Sequence, residues 1–216
     1  MVELQRGFIL TRHWRDTPTG TQVEFWLATD HGPRHIRLPL QTSVAFIPAE
    51  QRAQAEALLA NESGAELRPL ALKDFQHRPV LGLYCQQHRQ LIDLDKRLRR
   101  AGVTVYEADV RPPERYLMER FITAPVLFSG TAHADGLLLE AQIKPCSDYR
   151  PRLKLASLDI ETNAFGELYS IAVEGCGQRN VYMLGRTPEQ PPQVDFQLEY
   201  CDSRGQLLEC LNRWIA

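Results

Sequence analysis

The first quarter of the chain consists of short β-type runs separated by turn residues. In residues 7–48, apolar, β-branched and aromatic side chains cluster between turns at Thr17–Gly20 and Asp30–Pro33. This pattern predicts three or four short strands in a small sheet or partial barrel. Residues 49–60, AEQRAQAEALLA, are rich in helix formers and predict a helix directly after these strands.

A second helix is predicted over residues 86–100, between the β-type runs VLGLYC and VTVYEADV, which together indicate a βαβ unit. Its apolar positions recur at helical spacing, as Leu91, Leu94 and Leu98. Its other face has five Lys or Arg and two Asp, a net charge of +3. Cations near the end of a helix favour its dipole, so the cluster has a structural explanation as well as a possible role in binding nucleic acid.

The second half of the chain repeats the mixture of strands and helices. A further helix is predicted over residues 109–122, and a short β-rich patch over residues 124–143. The polar segment 144–152, with two prolines, indicates a linker or edge loop. Three β-type runs and a final helix follow, in the segments RLKLASLDIE, GELYSIAVEG, RNVYMLG and SRGQLLECLNRWIA.

Composition and charge indicate an ordinary globular protein. The 216 residues are 44% hydrophobic and 24% charged, with a formal net charge of −2, so bulk charge does not favour nucleic-acid binding. No apolar run approaches the roughly 20 residues that span a bilayer, and we expect a cytoplasmic protein without a membrane partner.

The five cysteines are odd in number, form no CxxC pair, and are expected to be reduced thiols. The six histidines do not lie at ligand spacing from any cysteine, and the spacing therefore predicts no zinc site.

The stretch KLASLDIETN, residues 154–163, is an apolar run that ends in two carboxylates. Residues two apart in a strand share a face, with their Cα atoms roughly 6–7 Å apart. Asp159 and Glu161 therefore point to one side, and Leu158 and Ile160 to the other. Since both faces are apolar earlier in the run, we expect an interior strand that is covered on both sides.

Two neighbouring anions repel each other unless a cation joins them, and Mg²⁺ or Mn²⁺ prefers carboxylate oxygens. Two such ions are the usual apparatus for hydrolysing a phosphodiester. The same residues also have a structural interpretation, because strand ends enter solvated loops and D-x-E triplets are common. The segment from Thr162 to Gly166 would suit a plain turn equally well, and the spacing alone leaves both interpretations open.

The segment LASLDIETN closely resembles the first exonuclease motif of the family B DNA polymerases. The preceding segment VYEADVRPPERYLMERFI is similar to the one that these enzymes carry ahead of their exonuclease domain, and LYSIAVEG fits the second strand of a ribonuclease H-like nuclease. The segment GFILTRHWRDT near the start resembles bacterial members of the family in particular. The resemblance covers essentially the whole chain.

The resemblance implies a two-metal 3′→5′ proofreading exonuclease that uses Mg²⁺ or Mn²⁺. By position, Asp159 would bridge both ions, and Glu161 would bind the ion on the nucleophile side and help orient the attacking water. The later exonuclease motifs and the polymerase palm motifs are expected beyond Ala216. The metal site is therefore expected to be incomplete, and the 216-residue chain by itself is expected neither to degrade nor to extend DNA.

The resemblance also implies an α+β fold in two parts. Residues 1–145 would form a β-rich, RNA-recognition-like N-terminal domain, and residues 146–216 the first strands of a ribonuclease H-like exonuclease domain. The implied partners are the template and primer strands and a single-stranded 3′ end, in DNA replication and repair. A sliding clamp would bind through a C-terminal part that this chain lacks.

Two other functions remain open at this stage. One is a stand-alone nucleic-acid-binding or partner-binding module in which Asp159 and Glu161 are merely solvated. The aromatic residues Phe25, Trp26 and Tyr84 could stack on bases in such a module, although aromatic residues lie more often in a core. The other is an independent nuclease that is complete in 216 residues. The sequence disfavours it, because the only aspartates after Glu161 are Asp195 and Asp202, and neither lies in a motif of the expected form.

Overall fold

A computed structural model describes residues 4–190 and 192–216. The chain divides into two compact units, Met1–Pro151 and Arg152–Ala216. The first unit contains the strands β1 (Gln5–Thr17), β2 (Gly20–Thr29), β3 (Gly32–Arg37), β4 (Ser43–Pro48), β5 (Ala65–Lys73), β6 (Pro79–Cys85), β7 (Pro125–Ala132) and β8 (Leu138–Pro145). Its helices are α1 (Arg52–Leu59), α2 (His88–Arg100) and α3 (Pro112–Glu119), with a 3₁₀ turn at Ala49–Gln51.

Five strands of the first unit close into a barrel in the order β1-β2-β3-β8-β7. The predicted turn at Thr17–Gly20 is confirmed, because β1 and β2 form a hairpin that pairs antiparallel up to Thr17 opposite Gly20. Alternate residues of β2 fill the barrel, so Val23, Phe25 and Leu27 are fully buried and pack with Phe128 of β7. The alternation of side chains along β2 thus places one of its faces in the core of the barrel.

The remaining strands form a separate antiparallel sheet in the order β4-β6-β5, against which α1 and α2 pack. The predicted stripe on α2 is confirmed, because Leu91, Leu94 and Leu98 are all buried there. The run VTVYEADV does not form the predicted full strand. It pairs with β4 only at Tyr106, opposite Phe46, and β4 belongs to this sheet rather than to the barrel.

The second unit is a four-stranded sheet in the order β12-β11-β10-β9 with one helix. Its elements are β9 (Ala156–Thr162), β10 (Leu168–Gly175), β11 (Gln178–Leu184), β12 (Gln197–Cys201) and α4 (Arg204–Ile215). Leu207 and Cys210 of α4 are buried against Ile171, Val173 and Tyr182. These elements complete a mixed α+β fold, as predicted. Within the described ranges, no helix is long and apolar enough to cross a membrane.

The prediction that β9 is an interior strand covered on both sides is wrong. Among the described strands β9 pairs only with β10, so it lies at the edge of the sheet, and it is exposed along its whole length. Leu158 and Ile160 are 54% and 51% exposed, although they point to the same side of the sheet as the buried Ile171 and Val173. The physical reason is that α4 packs mainly against β10, β11 and β12 and leaves β9 exposed.

The outer surface of the barrel carries a compact charge cluster around Glu24 of β2. Arg37 Nε donates a hydrogen bond to the Glu24 carboxylate at 2.8 Å, and His35 Nε2 lies 3.1 Å from it. Burial alone would raise the pKa of Glu24, but the hydrogen bonds from Arg37 and His35 outweigh it and hold the pKa below its usual value. The ionised carboxylate therefore stabilises the folded barrel.

We expect Glu24→Gln to lower the free energy of unfolding by about 1–2 kcal/mol at pH 7. Folding lowers the pKa of Glu24 below 4.5. The wild-type protein is therefore more stable than Glu24→Gln by the full amount at pH values above the pKa of the unfolded chain, and this difference in the free energy of unfolding disappears as the pH falls through the pKa of the folded state. Urea denaturation of both proteins between pH 7 and pH 3 measures this. A difference that stays constant across the range would contradict the role of the charge.

Candidate active site on strand β9

The structure places Asp159 and Glu161 on one face of β9, as their spacing predicts. Asp159 lies opposite Ala172 and Glu161 opposite Ser170 on β10. Opposed residues of an antiparallel pair point to the same side, so both carboxylates lie on the face of the sheet that α4 leaves open. The apolar side chains of β9 lie on the other face.

A shallow groove runs across this open face from β9 to β11. It is lined by Ser157, Asp159, Ala172, Val173, Glu174, Arg179, Asn180, Val181 and Phe196. Arg179 is the cation of the groove, and its guanidinium pairs with Asp195 at 2.7 Å and with Glu174 at 3.7 Å. Since Arg179 is held by these two carboxylates, it does not neutralise Asp159.

Neither carboxylate of the candidate pair forms a salt bridge with any residue in the described part of the chain. Among the described residues, the side chain of Asp159 accepts a hydrogen bond only from the adjacent backbone, where Ile160 N donates to Oδ1 at 3.1 Å. Two exposed, unpaired carboxylates on one strand face are the oxygen donors that Mg²⁺ and Mn²⁺ bind. The donor set therefore fits a hydrated divalent cation, with two carboxylates from this chain.

The residues after the pair form a tight turn. Asn163 Oδ1 accepts hydrogen bonds from the backbone N–H groups of Phe165 and Glu167, both at 2.9 Å, and Gly166 has a φ of +78°. A side-chain oxygen that closes a loop in this way fixes its conformation. The turn therefore holds the end of β9 in register with β10, and the structural interpretation of Asn163 and Gly166 is correct.

Three of the five cations on α2 form salt bridges, whereas Arg89 and Arg100 form none within the described part of the chain. Arg97 pairs with Glu62, Arg99 with Asp95, and Lys96 with Asp93. These contacts favour the structural explanation for the charge cluster over a free cationic surface.

The three aromatic residues do not form a common platform. Phe25 is fully buried in the barrel, Trp26 stacks on His35 at 4.1 Å, and Tyr84 lies under the guanidinium of Arg68 at 4.6 Å. Each aromatic ring thus already has a partner within its own surroundings.

Comparison with known proteins identifies the relatives of this chain. Family models described as DNA polymerase II, N-terminal, and DNA polymerase II, insertion domain, match residues 7–42 and 43–103. DNA polymerase II of Escherichia coli (strain K12) is 62% identical over 212 residues, which are 98% of this chain. Residues 7–103 thus match the N-terminal and insertion domains of DNA polymerase II, and almost the whole chain is similar to part of a bacterial DNA polymerase II.

The two DNA polymerase II family models divide the first unit where the structure changes sheets. Residues 7–42 contain the first three barrel strands, and the insertion model begins at Ser43, the first residue of β4. The chain spans 27% of the length of the E. coli polymerase. The structure of the family B DNA polymerase from the archaeon Pyrobaculum calidifontis matches with a TM-score of 0.66 at 15% identity, over 83% of this chain and 27% of that one. At this identity, the likeness supports the fold.

One cluster of potential metal ligands escapes the sequence reasoning. Glu199 and Cys201 on β12 lie together with Cys210 on α4, with all three ligand atoms within 4.8 Å of one another. Neither a CxxC pair nor a histidine at ligand spacing marks this cluster in the sequence. The sequence signal for such a site is one cysteine at the end of a strand and a second cysteine on the buried face of the helix that follows.

Proposed function

We propose that Asp159 and Glu161 supply carboxylate ligands to the 3′→5′ proofreading exonuclease of a DNA polymerase that contains this chain. The observation that carries the proposal is the geometry of β9, which presents both carboxylates on one open face, with no salt bridge to a cation among residues 4–190 and 192–216. The 62% identity to a bacterial DNA polymerase II supports the same role. The substrate class is a single-stranded 3′ end of DNA.

Asp159 and Glu161 would hold divalent ions, Mg²⁺ or Mn²⁺, through their carboxylate oxygens. When bound, such ions activate water and stabilise charge that develops on the phosphate. The contribution of this chain is to fix the two carboxylates. The β9–β10 pairing and the Asn163 turn hold their backbone, and a strand places them more rigidly than a loop would.

We further propose that residues 1–145 are the N-terminal domain and residues 146–216 the start of a ribonuclease H-like exonuclease domain. The proposed partners are template and primer strands in DNA replication and repair, in the bacterial cytoplasm. Contact with a sliding clamp is proposed through parts of the polymerase outside this chain. The RNA-recognition-like arrangement is supported by the sheet order β4-β6-β5 with α1 and α2.

The activity can be tested with a primer that ends in a mismatched 3′ nucleotide. In the presence of Mg²⁺ and the absence of nucleotides, a polymerase that contains this chain is expected to remove the mismatched nucleotide faster than a paired one. The 216-residue chain alone is expected to remove neither, because it supplies only two carboxylates. Denaturing gel electrophoresis of a labelled primer measures both. A polymerase that leaves the mismatched primer intact would contradict the proposed function.

A further inference from the structure

A second cluster of metal ligands lies between β12 and α4. Cys201 is the last residue of β12, and Cys210 lies two turns into α4, where both side chains are fully buried. Their sulfur atoms are 3.8 Å apart. The Oε1 atom of Glu199 lies 3.3 Å from Cys210 Sγ, on the exposed side of the cluster.

Two of the three separations are those of a small tetrahedral coordination sphere, and Glu199 and Cys201 lie within 4.8 Å of each other. With a Zn–S distance of about 2.3 Å and tetrahedral angles, two coordinating sulfur atoms lie about 3.8 Å apart. A carboxylate oxygen about 2.0 Å from the metal would lie about 3.5 Å from each sulfur. The distances between the two sulfurs and between Cys210 Sγ and Glu199 therefore match ligand-to-ligand distances, whereas a disulfide bond needs a sulfur separation of about 2.0 Å.

The cluster already attracts a cation from its own helix. Arg213 Nη2 donates to Cys210 Sγ at 3.0 Å and lies 3.7 Å from Glu199 Oε1. The Arg213 side chain is 71% exposed, so it can swing into solvent without unpacking the core. The guanidinium thus lies at the mouth of the cluster, where a metal ion would enter.

We propose that Glu199, Cys201 and Cys210 form a binding site for a thiophilic divalent cation of the zinc class. Thiolate sulfur selects such metals over Mg²⁺ and Ca²⁺, which prefer oxygen. The three side chains supply two sulfurs and one oxygen, and water on the exposed side completes four-fold coordination. The bound ion ties the end of β12 to α4, the helix that covers the core of the second unit. This site is independent of the carboxylates on β9.

The site is tested by titrating the metal-free, reduced 216-residue chain with Co²⁺ and then with Zn²⁺. We expect one equivalent of Co²⁺ to produce a thiolate-to-cobalt charge-transfer band and the visible bands of tetrahedral cobalt, and Zn²⁺ to remove both. Zn²⁺ is also expected to raise the Tm. Each of Cys201→Ser and Cys210→Ser should raise the Kd for Zn²⁺ by at least about 100-fold.

Matched variants keep the test independent of folding. Cys176→Ser removes an exposed cysteine of the same unit and should leave the titration unchanged. Glu199→Gln alters an exposed ligand and should weaken binding about tenfold, whereas Arg213→Gln should strengthen it by removing a competing cation. The proposal is overturned if no charge-transfer band appears, if Cys176→Ser abolishes the band, or if mass spectrometry of the chain under reducing buffer shows a Cys201–Cys210 disulfide.

Discussion

Replacing Asp159 by alanine is expected to lower the exonuclease rate of a polymerase that contains this chain by about 10³-fold or more. The Asp159 carboxylate would help to hold the divalent ions, and water cannot replace it because water carries no negative charge to offset theirs. The single-turnover rate of removal of a 3′ nucleotide measures the loss. Primer extension should remain within about twofold of wild type, because the substitution lies on the open face of a single edge strand.

A matched control is available in the same unit. Glu209→Ala removes an exposed carboxylate from α4, which packs on the opposite face of the sheet from Asp159. Its charge change is identical, and the exonuclease rate is expected to be unchanged. Equal losses in Asp159→Ala and Glu209→Ala would show that the effect is electrostatic at long range or structural, and would remove Asp159 from the metal site.

Replacing Phe25 by alanine is expected to lower the free energy of unfolding of the first unit by about 3–5 kcal/mol. Phe25 is fully buried in the barrel, in contact with the ring of Tyr116 at 6.4 Å between centroids. Its removal leaves a cavity that the closed strand pairing prevents from collapsing. Urea denaturation followed by the fluorescence of Trp14 and Trp26 on the barrel strands measures the change.

Phe75 provides the control for this substitution. It is 98% exposed, so Phe75→Ala makes the same chemical change without opening a cavity and should alter stability by no more than about 0.5 kcal/mol. Similar losses for the two variants would contradict the assignment of Phe25 to the core of the barrel. The result would also reopen a surface role for Phe25, such as base stacking.

Much of the local structure follows from the sequence because it depends on near neighbours. The β1–β2 hairpin follows from two apolar runs around Thr17–Gly20, and the buried face of α2 from Leu91, Leu94 and Leu98. The partnering of distant strands does not follow in this way. Nothing local in β4 distinguishes a barrel strand from a strand of the second sheet, because its apolar side chains would suit either.

The exposure of β9 likewise could not be predicted from its local sequence. Its run of apolar residues indicates burial on both faces, yet burial depends on which element covers a strand, and α4 packs mainly against the neighbouring strands. The candidate site was more predictable: the same-side geometry of Asp159 and Glu161 follows from strand periodicity alone. The inference that these two carboxylates bind metal does not follow from their spacing. It depends on the resemblance and on the absence of a protein counterion among the described residues.

The Glu199, Cys201 and Cys210 cluster shows what spacing rules miss. Two of the ligands are nine residues apart, on a strand and on the following helix, and they meet only because α4 folds back over β12. Short motifs such as CxxC encode metal sites within one turn. A cluster that tertiary packing assembles becomes visible only in the structure.

The central claim, that Asp159 and Glu161 bind divalent metal, is tested most directly by adding Mn²⁺ to the isotopically labelled 216-residue chain and recording its NMR spectrum. Paramagnetic broadening is expected to centre on residues 157–161 and 170–172, to be displaced by excess Mg²⁺, and to vanish in Asp159→Asn combined with Glu161→Gln. Broadening that is absent from these residues, or that persists there in the double variant, would contradict the claim.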